Sequence, residues 1–343
     1  MATVMQETVS LPDAPAISGL SFRRFAGESD LPKMLAVIHG SKAADGAERS
    51  ETLEEITRNY SHLTNSDPYQ DMLFAEIDGQ VVGYNRVFWE VLDDGTRIYN
   101  LFGYLLPVWR RKGIGTAMLR HAETRLRQIA AAHAEPGERY FQSFASETEK
   151  SALALLESQG YQAVRYGFSM VRDLSKPFPG APMPAGLEVR PVTEAHYPLI
   201  HAALNEAFRD HWGHREETLE EFMHWAEQPT FMPQIWKIAW AGDEVAGTVL
   251  NFVNELENTE YNRRRGYTEA ISVRRPWRKQ GLARALLVES MQMFKEMGMT
   301  ETALGVDAEN PSGALKLYQS VGYQEVKRHI TLRKPLVPVR VLD

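Results

Sequence analysis

Val273-Arg274-Arg275-Pro276-Trp277-Arg278-Lys279-Gln280-Gly281-Leu282-Ala283 is matched upstream by Leu105-Leu106-Pro107-Val108-Trp109-Arg110-Arg111-Lys112-Gly113-Ile114-Gly115. Each run leaves an apolar, strand-like segment and enters a stretch with apolar residues at helical spacing. These are Ala283, Leu286, Leu287, Met293, Phe294 and Met297 in one copy, and Met118, Leu119, Ala122, Leu126 and Ile129 in the other. A strand, a basic glycine-containing loop and a helix make an anion site. The first-turn N–H groups have no helical partner, and they carry the positive end of the helix dipole. Gly281 and Gly113 let the backbone approach a bulky anion, while Arg278 and Lys279, or Arg110 and Arg111, add charge.

Neither copy ends in the Gly-Lys-Ser/Thr of a nucleotide P-loop, and neither is a Gly-x-Gly-x-x-Gly fingerprint. The order Val, four residues, Arg, two residues, Gly, one residue, Ala resembles the acyl-CoA pyrophosphate loop of the GNAT N-acetyltransferase superfamily. The resemblance implies acetyl-CoA as the acyl donor, with no metal. It assigns donor binding to Arg278, Lys279, Gln280, Gly281, Leu282, Ala283 and Arg284, with Ile271, Ser272 and Val273 on the strand before them. Leu105, Arg110, Arg111, Lys112, Gly113, Ile114, Gly115 and Thr116 form the matching second site.

The repeat extends beyond the loop. Gly19 to Phe25 parallels Gly186 to Val192 as a first strand, and Thr52-Leu53-Glu54-Glu55 parallels Thr218-Leu219-Glu220-Glu221 near a helix start. Phe74 to Gly83 parallels Ile238 to Gly247, two strands around an Asp-Gly or Gly-Asp turn. The proline-rich run Lys176 to Ala185 suits a semi-rigid linker. The expected fold is therefore α/β (α+β): two tandem GNAT domains, each a mixed, mostly antiparallel sheet flanked by helices. The expected spans are residues 16–175, a linker at 176–185, and residues 186–343.

The chain has 343 residues, 43% of them hydrophobic, enough for a core in each half. A net charge of −7 argues against nucleic acid or an anionic membrane as a general partner, and mildly favours cationic amines. With no cysteine, disulfides and a cysteine acyl-enzyme are excluded. The start of the chain lacks a signal-peptide pattern and reads, to about residue 16, as a loose polar leader; the expectation is a soluble cytoplasmic protein.

The two copies diverge where chemistry is expected. Aligning Gly160-Tyr161 with Gly322-Tyr323 sets Thr148 opposite Asn310 and Leu156 opposite Tyr318. Asn310 reads as the N-cap of a helix over about 311 to 321, with Pro311 in its first position. By resemblance Asn310 lies near the pantetheine arm, and Tyr318 points at the CoA sulfur as a proton donor. Leucine can do neither, so the first half is expected to be degenerate.

Period two puts Glu269 on the same side as Ile271 and Val273, with Leu101 at the matching place upstream. Glu269 is either a general base or the ion-pair partner of Arg263, Arg264 or Arg265. By resemblance Asp210, His211 and Trp212, between the first two helices of the second half, are the expected acceptor-side residues; His211, His214 and His224 lack the tight ligand set of a metal site. The resemblance implies an N-acetyltransferase that acts in its C-terminal half on a primary amine, most simply a small molecule, by direct attack in a ternary complex. The alternatives are a peptide or protein N-acetyltransferase and a non-catalytic acyl-CoA sensor. Oligomeric state is not encoded in any of these features.

Overall fold

A computed structural model describes residues 8–133 and 137–336, in two compact units. The first comprises residues up to Arg165 together with those from His329 onward; the second is Tyr166–Arg328. These boundaries differ from the expected cut at 176–185, and the reason lies in how the strands close each sheet.

In chain order the first unit contains β1 (Leu20–Arg23), α1 (Leu31–Asp45), α2 (Leu53–Ser61), α3 (Pro68–Asp71), β2 (Met72–Ile77), β3 (Gln80–Val91), β4 (Arg97–Leu105), α4 (Ile114–Ala131), β5 (Arg139–Ser146) and α5 (Lys150–Ser158). Strand β6 (Gln162–Asp173) leads into the second unit. There follow β7 (Glu188–Val189), α6 (Tyr197–Phe208), α7 (Leu219–Trp225), β8 (Lys237–Ala241), β9 (Glu244–Val253), α8 (Glu255–Glu260), β10 (Arg265–Val273), α9 (Leu282–Glu296), β11 (Glu301–Asp307), α10 (Ala314–Ser320) and β12 (Gln324–Pro335). Each sheet is antiparallel except for one parallel pair, β4 with β5 or β10 with β11.

The closing strands are exchanged. In the first unit β5 pairs with residues 329–335 of β12, from His329↔Ser146 to Pro335↔Tyr140. In the second unit β11 pairs with residues 167–173 of β6, from Glu301↔Asp173 to Asp307↔Gly167. The proline-rich run is likewise held on the second unit. Arg172 donates to the Pro177 carbonyl at 2.7 Å and to that of Lys176 at 3.3 Å, and Phe178 packs against the core around Leu287 and Met291.

Helix α9 buries Leu282, Ala285, Leu286, Leu287, Val288, Met291 and Phe294, whereas Met297 is its exposed C-cap. Removing such side chains from water contributes roughly 1.5–3 kcal/mol each for the larger ones. The helix is thereby fixed under β8–β11, with its N-terminus at the basic loop. The start of the chain is not loose over its described part: the Val9 N–H donates to Phe22 O at 2.8 Å, and Leu11 is buried beside Leu73, Ile77 and Ile114.

Candidate active site

Both basic loops adopt one backbone shape. Arg111 and Lys279 have φ of 60° and 62°, and Gly113 and Gly281 have φ of 91° and 90° as left-handed N-caps of α4 and α9. A side chain is strained at that φ, so glycine is required at 113 and 281 for conformation. At Gly281 a Cβ would meet nothing within 4 Å, whereas at Gly113 it would lie 3.3 Å from Pro15. The N–H groups of the first turn of α9 point out of its N-terminus, and Lys279 and Gln280 are exposed there. This fits a diphosphate, with Arg284, bonded to Ser320 at 2.8 Å, at the rim.

Arg278 and Arg110 are directed elsewhere than expected. The Arg278 Nε–H donates to Val273 O (2.9 Å), and its other nitrogens reach Asp210 Oδ2 (3.2 Å) and Ala207 O (3.1 Å). In the first unit the Arg110 Nε–H donates to Leu105 O (2.8 Å), and its remaining nitrogens reach Asp45 (2.5 and 3.0 Å). Asp210, expected to face the acceptor, is also bound by Arg275 Nη2 at 2.6 Å.

The strand before the second loop carries a bulge. Glu269 pairs with Leu250 and Ser272 with Thr248, so Ala270 and Ile271 together oppose Val249, and Ala270 sits at φ 46°. A bulge shifts the side-chain alternation by one. Glu269 therefore shares a face with Ser272, the α6 side on which Leu250 and Ala270 pack, while Ile271 and Val273 face α9 with Leu282 and Leu286. The period-two placement of Glu269 beside Ile271 and Val273 is thus corrected. The Thr248 hydroxyl stabilises the bulge by donating to Ala270 O at 2.7 Å, and it lies 2.9 Å from Ser272 Oγ. In the first unit Tyr84 occupies the place of Thr248, and the β3–β4 ladder runs unbroken from Gly83↔Leu105 to Val91↔Arg97.

Strands β10 and β11 pair only from Arg265↔Glu301 to Tyr267↔Ala303 and then separate. At the fork the Gly305 N–H donates to Glu269 Oε1 at 3.2 Å. Arg263 is bonded to Glu257, and Arg265 to Glu301 at 2.7 Å, so the expected arginine partnership of Glu269 is not formed with either. Burial pushes the Glu269 carboxyl up to about 7, opposed by the Gly305 N–H. Tyr318, on α10, is buried against Leu287, Met291 and Tyr323. Burial, then the nearby Glu269 carboxylate and Tyr323, hold its phenol well above the usual tyrosine range. Tyr323 donates to or accepts from Thr268 Oγ1 at 2.8 Å, which fixes the ring that Tyr318 packs against.

Helix α10 begins later than the sequence implied: Gly313 is its N-cap, at φ 76°. Asn310 instead forms a turn, its Oδ1 accepting from Ser312 N (2.9 Å) and Ser312 Oγ (2.6 Å). On the acceptor side, the His211 ring packs edge-on against Phe208 at 4.5 Å, Trp212 is exposed, and burial lowers the His211 pKa, with Asp307 opposing. The far end of this loop is anchored by residues the sequence reading missed. Asn205 Nδ2 and the His201 ring both bond Glu217 O, each at 2.8 Å, and Asn205 Oδ1 accepts from Glu217 N at 3.1 Å. The i, i+4 spacing of His201 and Asn205 on α6 was the available signal.

In the first unit the equivalent fork is spanned by Arg49. It donates to Ser41 Oγ and Asp45 (both 2.7 Å), lies over the Tyr104 ring of β4 at 4.7 Å, and reaches Glu149, beyond the end of β5, at 2.6 Å. Leu156, opposite Tyr318, is buried in the core with Leu101, and Thr148 bonds Gly46 O at 3.4 Å. The corresponding positions in the second unit, counted from Asp210 and Asn310, are His214 and Pro311, which cannot reproduce this ion pair.

Among the described residues, no group of three or more His, Asp or Glu side chains is arranged to hold a metal ion, and no helix is long and apolar enough to cross a membrane. A family model described as acetyltransferase (GNAT) family matches residues 197–323, and another, acetyltransferase (GNAT) domain, matches 68–163. The chain belongs to the GNAT acetyltransferases, with one domain of the family in each half.

Within that family it is a tandem, mycothiol-synthase-like acetyltransferase that uses acetyl-CoA. It is 25% identical to a mycothiol acetyltransferase of Geodermatophilus obscurus over 84% of this chain and 89% of that one. It is 24% identical to that of Salinispora arenicola over 89% and 94%. A GCN5-related N-acetyltransferase from Sphaerobacter thermophilus superposes with a TM-score of 0.72 at 26% identity, over 96% of this chain and 98% of that one.

Proposed function

We propose that the second unit transfers the acetyl group of acetyl-CoA to the primary amine of a small molecule, in a ternary complex. The observation that carries this is the presence of Glu269 and Tyr318 at the β10–β11 fork, where the first unit has Phe102 at the register position of Glu269 once the bulge is counted, Leu156 opposite Tyr318, and an arginine across the gap. The full-length similarity to mycothiol acetyltransferases supports a small-molecule acceptor.

Bound acetyl-CoA supplies the acetyl group as a thioester. Residues 279–284 hold its diphosphate on backbone N–H groups, and the unpaired edge of β10 beyond Tyr267 orients the pantetheine. Glu269, with a carboxyl near 7, first takes one proton from the acceptor ammonium. The neutral amine then attacks, the C–N bond forms, the second nitrogen proton leaves to solvent, and the C–S bond breaks to release the thiolate. Tyr318 directs its hydroxyl proton to the departing sulfur. Because burial raises this phenol, it stays protonated through the working range and acts first as a hydrogen-bond donor to the thiolate. The acceptor approaches from the α6 side, the face that the bulge gives to Glu269.

The test is thiol release from acetyl-CoA across a panel of small amines, with the parent chain and Tyr318→Phe. Activity that survives Tyr318→Phe but disappears with substitutions at Gly113 would place the chemistry in the first unit.

A further inference from the structure

All three nitrogens of the signature arginine of the donor loop bond to the protein. Arg278 ties together Val273 O at the end of β10, Ala207 O in the last turn of α6, and Asp210 just beyond that helix. Arg275 bonds the other oxygen of Asp210 at 2.6 Å, and Arg274 bonds Glu206 at 2.6 Å. Three arginines of residues 274–278 thus meet two carboxylates and a free carbonyl at the negative end of α6. The same joint occurs in the first unit, where Arg110 bonds Leu105 O and Asp45. Its duplication separates it from the catalytic groups, which are not duplicated.

We propose that Asp210 is a positioning residue which, through Arg278, fixes the donor loop and couples it to the acceptor loop at residues 209–218, and that Arg278 is a brace rather than a phosphate ligand. The proposal rests on residues 278–284 being the donor loop. Arg278 at 3.2 Å from a carboxylate, with its Nε–H on a main-chain carbonyl, has a fixed orientation that a lysine could not reproduce. The left-handed backbone of Lys279 and Gly281, which turns the first-turn N–H groups outward, is built directly upon it. Attraction for the diphosphate then comes from those N–H groups and from Lys279. Because Asp210 and Arg278 lie on the acceptor and donor loops respectively, filling one site stiffens the other.

The two roles for Arg278 predict opposite signs. If it contacted phosphate, Asp210 would be a competing anion, and Asp210→Asn would tighten acetyl-CoA binding. If it is a brace, Asp210→Asn and Arg278→Gln each weaken binding several-fold, and the double variant is little worse than either single one. Acetyl-CoA affinity is measured by calorimetry on the full chain, with Asp45→Asn and Gly281→Val alongside and the melting temperature of each variant recorded. We expect Asp210→Asn to raise Kd and KM for acetyl-CoA several-fold, with a smaller change in kcat and an unchanged melting temperature. Asp210→Glu should recover part of the affinity, and Asp45→Asn should have no effect on Kd. Tighter binding by Asp210→Asn, or additive losses in the double variant, overturns the brace. If Gly281→Val also leaves Kd unchanged, the donor-loop assignment falls, and the brace with it. Loss with Gly281→Val alone leaves the donor loop in place and rejects Asp210.

Discussion

Replacing Glu269 by Gln is expected to stabilise the protein and impair it at the same time. The carboxyl is pushed from 4.5 to about 7 by burial at the fork between β10 and β11. At about 1.36 kcal/mol per pKa unit, that shift corresponds to roughly 3 kcal/mol at full burial. The group is partly open to the cleft, so ~1–2 kcal/mol is the working figure.

The sign follows from proton counts. Between pH 4.5 and about 7 the folded chain binds more protons at this site than the unfolded one, so stability falls as pH rises through that window. The penalty is absent below pH 4.5 and complete above 7. Glutamine cannot ionise, and its amide oxygen still accepts the Gly305 N–H. Glu269→Gln should therefore match the parent in denaturant near pH 4 and exceed it by ~1–2 kcal/mol near pH 8. Its turnover should fall by about 10²-fold or more at neutral pH and recover as the amine deprotonates in solution. The parent's kcat/KM should rise through pH 7, the pKa of the free enzyme's base. A stability difference that is the same at both pH values would refute the buried-carboxylate argument. An unchanged pH–rate profile would remove Glu269 as the base.

Tyr318→Phe keeps the core packing and loses the hydroxyl, so acetyl-CoA Kd should hold while turnover drops, by about 10² if proton donation is the main loss. Calorimetry should find one acetyl-CoA site per chain, since Arg49 spans the first fork and Pro15 covers Gly113; two equal sites would contradict this. Ala270→Gly should raise stability by ~1 kcal/mol in chemical denaturation by relieving the left-handed backbone at φ 46°, with activity retained, whereas Ala270→Val should lower both. A fragment cut within the proline-rich run, residues 186–343, should fail to give a cooperative unfolding transition. It lacks the β6 residues that pair with β11 and the buried Arg172, while a chain cut after residue 165 lacks the strand that completes the first sheet.

Much of this protein was decided locally and could be read from the chain. The two strand, loop and helix repeats, the glycines at 113 and 281, and the loss of Tyr318's counterpart to Leu156 are matters of residue type and short spacing. Hairpin turns at Asp78-Gly79 and Gly242-Asp243 formed where the turn chemistry placed them.

Other features depended on contacts between distant residues. Alternation put Glu269 with Ile271 and Val273, but a hydroxyl from Thr248 on the neighbouring strand satisfies a bulge that turns it to the opposite face. Arg278 and Asp210 both looked like ligand groups, because charge is visible in a sequence while the partner that neutralises it is not. The proline-rich run looked like the domain boundary. Strand pairing instead drew β6 forward into the second unit and the end of β12 back into the first, because a strand's backbone hydrogen bonds are satisfied by whichever edge the assembled sheet presents.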